Sequence, residues 1–206
     1  MEPEKIYQLL KERIMWLDLV PESVLNISEL ADEFGVSRTP IKEAMLLLQA
    51  DGWILRHGSH FLVTPLSLVR IREINEIRSV LEVQANIWAM YRITDEELKS
   101  LKTLEKEILQ VNESPSKRKV VEVDLKFHRR LFEATKNNQL AHSLDRLLCH
   151  FLRFWLSIPR EIEPTPSPAN SLEVIQAIEE KDEARLRAAS FHHIKWSMDE
   201  MVRTYL

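Results

Sequence analysis

Apolar residues recur at helical spacing along most of the chain, with short polar or proline-containing breaks between the periodic stretches. The first such stretch, residues 4–18, predicts an amphipathic helix. Its apolar face is formed by Ile6, Leu9, Leu10, Ile14 and Leu17. Two shorter helices are predicted near 28–34 and 38–50, and Gly35 lies between them, where a tight turn requires a positive φ. The chain therefore begins with three helices, of which the last two form a helix-turn-helix.

After the third helix, the pattern changes to two short β-prone runs. Residues 53–56 and 61–63 lie on either side of the sequence HGSH and predict a two-stranded hairpin. A hairpin directly after a helix-turn-helix makes a winged helix. Pro65 then blocks continuation of the strand, and Ser67 can cap the next helix. We therefore predict a winged helix-turn-helix domain over residues 1–66.

From residue 67 onward, the spacing of apolar residues is helical almost throughout. The predicted helices cover 68–91, 94–113, 117–135, 139–158, 167–180 and 182–205. A loop over 159–168 contains four prolines and separates two of these helices. The predicted fold is mainly α, with an N-terminal winged helix-turn-helix carrying a small β-hairpin wing and a C-terminal all-α helical bundle over 67–206.

Composition places the chain among globular proteins of a reducing compartment. It has 206 residues, of which 45% are hydrophobic, so it can form real cores. The single cysteine, Cys149, excludes an intramolecular disulfide. No apolar run approaches the roughly 20 residues that a membrane-spanning helix needs, and the N-terminus lacks a signal-peptide pattern. We therefore expect a cytoplasmic protein that does not associate with membranes.

The predicted helix-turn-helix suggests contact with DNA. Ser37 can cap the second helix of the motif, which leaves Arg38, Thr39 and Lys42 on its first exposed turns. This arrangement is the one that carries a helix N-terminus into a DNA major groove. Residues 1–66, however, hold six Lys and Arg against ten Asp and Glu, a formal net charge of −4. DNA binding therefore requires that the few cations, including Arg56 in the wing, converge on one face.

The sequence GVSRTPIKEAMLLLQADGWI, residues 35–54, resembles the GntR family of transcriptional regulators. The rest of the chain resembles that family's FadR-type subgroup, which has an all-helical FCD-type effector domain. The resemblance implies a DNA-binding surface formed by Arg38, Thr39, Pro40 and Lys42, to which Arg56, His57 and Gly58 of the wing are added. The family usually has Arg where this chain has Lys42, and many relatives have Gly where it has His60. Two turn glycines common in the family are replaced by Leu17 and Glu22.

A possible metal site lies in the second domain. Asp124 and His128 are four residues apart and project from one face of a predicted helix. His192 and His193 lie on the last helix, and the resemblance implies that His193 is the ligand. Carboxylate and imidazole ligands suit a divalent transition metal, although the same pair is also typical of a surface ion pair or a packed core histidine. The resemblance implies a fourth ligand, usually a histidine, at the position of Ser171. Either a reduced three-residue site holds Zn, Ni or Mn, or the metal is lost and the pocket keeps an organic effector.

Arg78 and Glu82 are the remaining candidates for ligand binding. A buried arginine that faces a cavity is a bidentate partner for a carboxylate, and the resemblance places the equivalent of Arg78 in the effector pocket. Because the two residues are four apart on one helix, a simple ion pair on the helix surface is the alternative. With Ser171, they form the predicted effector-binding set.

The sequence therefore predicts a DNA-binding transcription regulator, expected to act as a repressor. A homodimer would bind a palindromic double-stranded operator, and a small-molecule effector, expected to be a carboxylate, would control its affinity. One alternative is a metal-dependent enzyme that uses Asp124, His128 and His193, although the chain offers no recognisable nucleophile–base set or phosphate loop. The other is a winged-helix module that binds proteins, for which the acidic charge of residues 1–66 is the support.

Overall fold

The chain folds into two compact units, Met1–Ser67 and Leu68–Leu206. The computed structural model describes the backbone of residues 1–113, 116–158 and 167–205, and the side chains of 1–111, 116–158 and 170–203. The structure is mainly helical, with a small sheet confined to the first unit. Among the described residues, no helix combines the length and the apolar character needed to cross a membrane.

The first unit is a winged helix with three strands. Its elements are α1 Pro3–Met15, β1 Val24–Leu25, α2 Ile27–Phe34, α3 Arg38–Ala50, β2 Ile54–His57 and β3 His60–Val63. The antiparallel sheet has the order β1-β3-β2, so the predicted hairpin is joined by an additional strand. The sequence pattern did not predict β1, because two residues are too few to show an alternation.

The apolar face of α1 differs from the predicted one at two positions. Ile6, Leu10 and Ile14 are fully buried as expected, but Leu9 is 36% exposed. The helix ends at Met15, so Leu17 leaves the helical periodicity and adopts a positive φ of 63°. Tyr7 and Met15 take part in the core instead. The predicted helix over 4–18 was therefore too long at its C-terminal end.

The second unit consists of six described helices. They are α4 Leu68–Arg92, α5 Asp95–Glu113, α6 Lys117–Ala134, α7 Asn138–Ser157, α8 Ser167–Glu180 and α9 Glu183–Tyr205. Asn137 caps α7 by accepting a hydrogen bond from the Leu140 N–H at 3.2 Å, and Ser116 caps α6 in the same way. Most of the predicted proline-rich loop, 159–166, lies outside the described residues.

Helix α4 packs against α6, α7 and α9 and carries a polar stripe into the core. Asn75, Arg78, Glu82 and Asn86 are all buried and recur every three or four residues, so they share one helix face. The surrounding core is apolar, including Ile87, Leu131 and Ile194. Buried polar groups require partners, and the stripe therefore indicates a polar site inside the second unit.

Candidate functional site

The turn between α2 and α3 is fixed by two local devices. Asn26 caps α2, because its side-chain oxygen accepts hydrogen bonds from the N–H groups of Ser28 and Glu29 at 2.9 and 3.5 Å. Gly35 ends the helix in the left-handed region at a φ of 63°, as the sequence predicts. Ser37 occupies the N-cap position of α3, but its side chain makes no capping hydrogen bond within the described residues. Ser37 therefore lies at the predicted N-cap position, but the capping hydrogen bond expected from its side chain does not form with any residue that the structure describes.

Helix α3 presents the predicted recognition residues to solvent. Arg38, Thr39 and Lys42 are exposed, and Pro40 is half-buried in the first turn. The opposite face of α3 is fully buried through Ile41, Ala44, Met45 and Leu48, which fixes the orientation of the exposed face. Because an uncapped helix N-terminus carries partial positive charge, this end of α3 suits a phosphate or a base edge.

The wing is a β-hairpin whose loop has two residues, 58 and 59. His57 and His60 are directly opposite each other in the β2–β3 register, and Gly58 has a φ of 61° at the first position of the loop. Arg56 donates a hydrogen bond through Nε to the Gly58 carbonyl oxygen at 3.2 Å. Arg56, His57 and Gly58 are all exposed. The structure thus places two separate groups of predicted DNA-binding residues at the surface of the first unit.

The second unit brings the three predicted metal ligands together. Nε2 of His128 lies 3.1 Å from Nε2 of His193 and 3.7 Å from Oδ2 of Asp124. The distance from His193 Nε2 to Asp124 Oδ1 is 3.8 Å. Both histidines are buried, and the donor atoms of the three residues all lie within 4.8 Å of one another. We call these three residues the Asp124–His128–His193 cluster; it could hold a metal ion.

The donor set fits a transition metal. Ligand atoms bound to one ion at about 2.0–2.2 Å lie roughly 3–3.6 Å apart, so the observed separations of 3.1–3.8 Å need only a small contraction. Burial and the charge of His128 lower the pKa of His193 to about 4. His193 is therefore neutral at neutral pH, which is the form that binds metal.

A second layer of residues orients His128. Its Nδ1 atom lies within ion-pair distance of Glu82 Oε2, at 3.2 Å, and neither atom has a hydrogen-bond partner among the described residues. The other oxygen of Glu82 accepts a hydrogen bond from Arg78 Nε. A carboxylate behind a ligating histidine fixes the tautomer and strengthens the ligand. The chain Arg78–Glu82–His128 thus leads directly to the cluster.

The Arg78–Glu82 pair is buried, unlike an ordinary ion pair on a helix surface. The two side chains are 2% and 0% exposed, and the Arg78 guanidinium lies 4.5 Å from the centroid of the Phe151 ring. Burial alone would raise the pKa of Glu82, but the charges of Arg78 and His128 outweigh it and lower that pKa to about 2. The sequence left open whether Arg78 faces a cavity or pairs with Glu82 on the helix surface. The i,i+4 pair forms, but it is buried in the core rather than on the surface.

Ser171 lies beside the cluster. It is buried on α8 and, with Asp124, supplies the polar lining of a cavity of about 20 Å³. The remaining lining residues are apolar and come from α5 and α6: Ile108, Val111, Val120, Val123 and Phe127. A neutral hydroxyl is a weak ligand for zinc or nickel, so the protein supplies three strong ligands and an adjoining space.

Sequence reasoning missed one buried polar contact next to this site. Asn86, one turn after Glu82, donates a hydrogen bond to Ser190 Oγ at 3.0 Å. Ser190 lies one turn before His193 on α9. The signal was present as a polar residue four positions after Glu82, but its partner is 104 residues away in the sequence.

Comparisons with known proteins agree with this architecture. The profile of the FCD domain matches residues 73–195, and that of the bacterial regulatory proteins of the gntR family matches residues 3–60. The HTH-type transcriptional regulator YdhC of Bacillus subtilis (strain 168) is 34% identical over 155 residues, which cover 72% of this chain and 68% of the relative. The HTH-type transcriptional repressor RspR of Escherichia coli (strain K12) is 23% identical over 207 residues, 97% of this chain and 88% of the relative.

A solved structure of E. coli McbR/YncC is similar to the whole chain. It superposes with a TM-score of 0.86 over 99% of this chain and 98% of that chain, at 21% sequence identity, and so supports the fold. The gntR profile covers the winged helix, and the FCD profile covers the helical unit that holds the cluster. The chain therefore belongs to the GntR family, with a C-terminal FCD domain, and is a DNA-binding transcriptional regulator rather than an enzyme.

Proposed function

We propose that this regulator is a cytoplasmic repressor whose operator affinity is controlled by a small carboxylate bound over a metal ion in its helical domain. The observation that carries the proposal is the buried Asp124–His128–His193 cluster, supported from behind by Glu82 and joined to a cavity. The DNA-binding part is assigned to residues 1–66, and effector binding and dimerisation to residues 67–206.

The DNA-binding surface is assigned to two groups of residues in the first unit, all exposed except the half-buried Pro40. On α3 these are Arg38, Thr39, Pro40 and Lys42, and in the wing they are Arg56, His57 and Gly58. Arginine at a guanine edge is the commonest specific contact in a major groove, so Arg38 is the residue expected to read a base. With so few cations in an acidic domain, sequence-specific contacts must contribute more than general attraction to phosphates.

The metal proposed for the cluster is a divalent Zn, Ni or Mn ion. Asp124, His128 and His193 would hold it, and its role would be to supply a positive charge that attracts an anionic effector. Arg78 and Glu82 keep His128 in position, and Nη1 of Arg78 is buried without a hydrogen-bond partner among the described residues. Ser171 contributes a hydroxyl to the effector side of the site.

Dimerisation is assigned to an apolar stripe on the exposed face of α4. Val69, Val80 and Tyr91 recur every 11 residues, three helical turns, and each is at least two-thirds exposed. Ile77 lies beside them and is half-exposed. A second copy of the chain is the proposed occupant, because a palindromic operator requires two winged helices related by a twofold axis.

The effector can change DNA affinity only if it binds the DNA-competent and the free arrangements of the dimer with different affinities. The short connection at 64–67 is the segment through which we expect ligand binding in the second unit to affect the first. Because the coupling between two binding sites is reciprocal, operator DNA must in turn alter effector affinity by the same factor.

Metal content and operator binding test the proposal together. Purified protein should hold about one divalent ion per chain, and His193→Ala should lose it, while the exposed neighbour in His192→Ala should retain it. An operator fragment selected from random sequence should be retarded by wild-type protein and not by Arg38→Ala. Full metal retention in His193→Ala would contradict the metal site, and unchanged retardation by Arg38→Ala would contradict the assignment of that residue.

A further inference from the structure

The cavity beside the cluster is lined by two polar residues and is otherwise apolar. Asp124 and Ser171 are the polar lining residues, while the apolar ones are Ile108 and Val111 of α5 and Val120, Val123 and Phe127 of α6. Ile108, Val111 and Phe127 are buried, and they offer no hydrogen-bonding side chain. A ligand that reaches the cluster through this space must therefore place an apolar group against these side chains.

We propose that the effector is a small monocarboxylate with a short aliphatic chain. Its carboxylate lies at the Asp124–His128–His193 cluster, and its alkyl group fills the cavity between α5, α6 and α8. This inference rests on the proposed function, because it takes the metal-bound carboxylate as its starting point and adds the chemistry of the remainder of the ligand.

Because Asp124 is itself a carboxylate, binding of a carboxylate effector beside it requires a metal ion. The Asp124 carboxylate lines the cavity and would repel a second carboxylate at close range. A divalent ion held by Asp124, His128 and His193 reverses that charge and gives the incoming carboxylate a partner. Carboxylate binding should therefore be seen with metal-loaded protein and disappear after chelation.

The size of the cavity limits the length of the alkyl group. A volume of about 20 Å³ exceeds the 10–15 Å³ that one water molecule needs, and so accommodates about one or two carbon-sized groups. Each methylene that enters an apolar site should strengthen binding by about fourfold. The α-carbon stays beside the carboxylate at the cluster, so propionate and butyrate place one and two carbons in the cavity. Affinity should therefore rise from formate to about butyrate and stop rising for longer chains.

The chain offers variants that change the cavity by single methyl or methylene groups. Val123 is half-buried on the cavity wall, so Val123→Ala enlarges the space and Val123→Ile reduces it, with modest effects on stability. Leu109 follows Ile108 on α5 but is 51% exposed, so Leu109→Ala is a matched control that leaves the cavity unchanged.

Titration calorimetry of full-length, nickel-loaded protein with formate, acetate, propionate, butyrate, hexanoate and 3-hydroxypropionate tests the proposal. The last compound replaces the terminal methyl group of butyrate by a hydroxyl group, and it should bind about tenfold more weakly because the walls cannot accept its hydrogen bond. Val123→Ala should move the preferred length up by about one carbon, Val123→Ile should move it down, and Leu109→Ala should not change it.

Two failures are distinguishable. Equal binding of butyrate and 3-hydroxypropionate, or an unchanged length preference in both Val123 variants, would overturn the aliphatic class and leave a carboxylate effector standing. If no carboxylate in the series binds the metal-loaded protein, while the protein still retards its operator, the carboxylate effector of the proposed function is itself wrong.

Discussion

Glu22 and Leu17 adopt left-handed backbone angles although neither is a glycine. Their φ values are 66° and 63°, in a region that costs an L-amino acid roughly 1–2 kcal/mol. These are the two positions where the family resemblance led us to expect glycine. The fold has kept the turn geometry and bears the strain, so the loop between α1 and β1 stores energy that a glycine would release.

Replacing Glu22 by glycine should therefore stabilise the protein. Glu22 is exposed, so Glu22→Gly loses little packing, and we expect its free energy of unfolding to rise by about 0.5–1 kcal/mol. Urea unfolding of the full chain measures the change. Asp18→Gly, in the same loop at a residue without positive φ, is the control and should be neutral or destabilising. A loss of stability in Glu22→Gly would show that the left-handed angle carries no strain.

His193 should make the metal-free protein sensitive to acid. Burial is the main cause that lowers its pKa from the usual 6.5 to about 4, so the folded state binds a proton less readily than the unfolded chain. The stability that this residue contributes is complete above pH 6.5 and is lost as the pH falls towards 4, with a slope of at most about 1.4 kcal/mol per pH unit.

Denaturation of chelated protein between pH 7 and pH 4 measures this dependence. The difference between wild type and His193→Asn should follow the slope, because asparagine cannot be protonated in this range. His192→Ala is the control, since His192 is exposed on the same helix and should leave the wild-type profile unchanged. Parallel pH profiles of wild type and His193→Asn would contradict the role of His193.

At the scale of elements, α4 and α6 each contain an i,i+4 ion pair between arginine and glutamate, and the two pairs lie in opposite environments. The Arg78–Glu82 pair on α4 is buried, whereas the Arg118–Glu122 pair on α6, with a 3.2 Å contact, is exposed. Removing one partner of a buried pair leaves an uncompensated charge, which costs about 3–5 kcal/mol. Exposed pairs contribute about 0–1 kcal/mol because water screens both charges.

Glu82→Gln should therefore destabilise the protein by about 3 kcal/mol or more, while Glu122→Gln should change stability by less than about 0.5 kcal/mol. Thermal and urea unfolding of both variants, in metal-free protein, provide the comparison. Glu82→Gln should also weaken metal binding by about 10–100-fold, because His128 loses its orienting carboxylate. Similar small effects in both variants would show that the core tolerates the lone guanidinium.

The elements differ in how well the sequence predicts them. The helices of the second unit follow from apolar spacing over many turns, and the turn at Gly35 follows from the need for a positive φ. Strand β1 is too short to give a pattern, and the C-terminal end of α1 depends on a turn formed at Leu17 without its usual glycine. Helix existence is thus a local property of this sequence, whereas helix ends depend on neighbours.

The candidate site was predictable where its residues share one helix. Asp124 and His128, and likewise Arg78 and Glu82, could be paired because four-residue spacing places them on one face. The contact between Glu82 and His128 could not be inferred in this way, because it depends on how α4 packs against α6. The same holds for Asn86 and Ser190, whose contact joins α4 to α9.

At the scale of the whole molecule, operator binding is expected to depend on pairing of two chains through α4. Val80 is 70% exposed at the centre of the apolar stripe of Val69, Ile77, Val80 and Tyr91. Exposed apolar side chains that share one face of a long helix are typical of an interface. Two winged helices held together bind two half-sites with far higher apparent affinity than either would alone.

Val80→Glu should therefore convert the dimer to a monomer, because it places two charges close to the twofold axis of a desolvated interface. Sedimentation of the metal-loaded protein measures the mass, and retardation of a palindromic operator should weaken by at least about tenfold, while a single half-site should bind as in wild type. Leu109→Glu adds the same charge at an exposed leucine of α5 and should remain dimeric. A dimeric Val80→Glu with full operator affinity would mean that the two chains pair through another face. Glutamate substitutions at the other exposed apolar positions would then identify that face by the one that separates the chains.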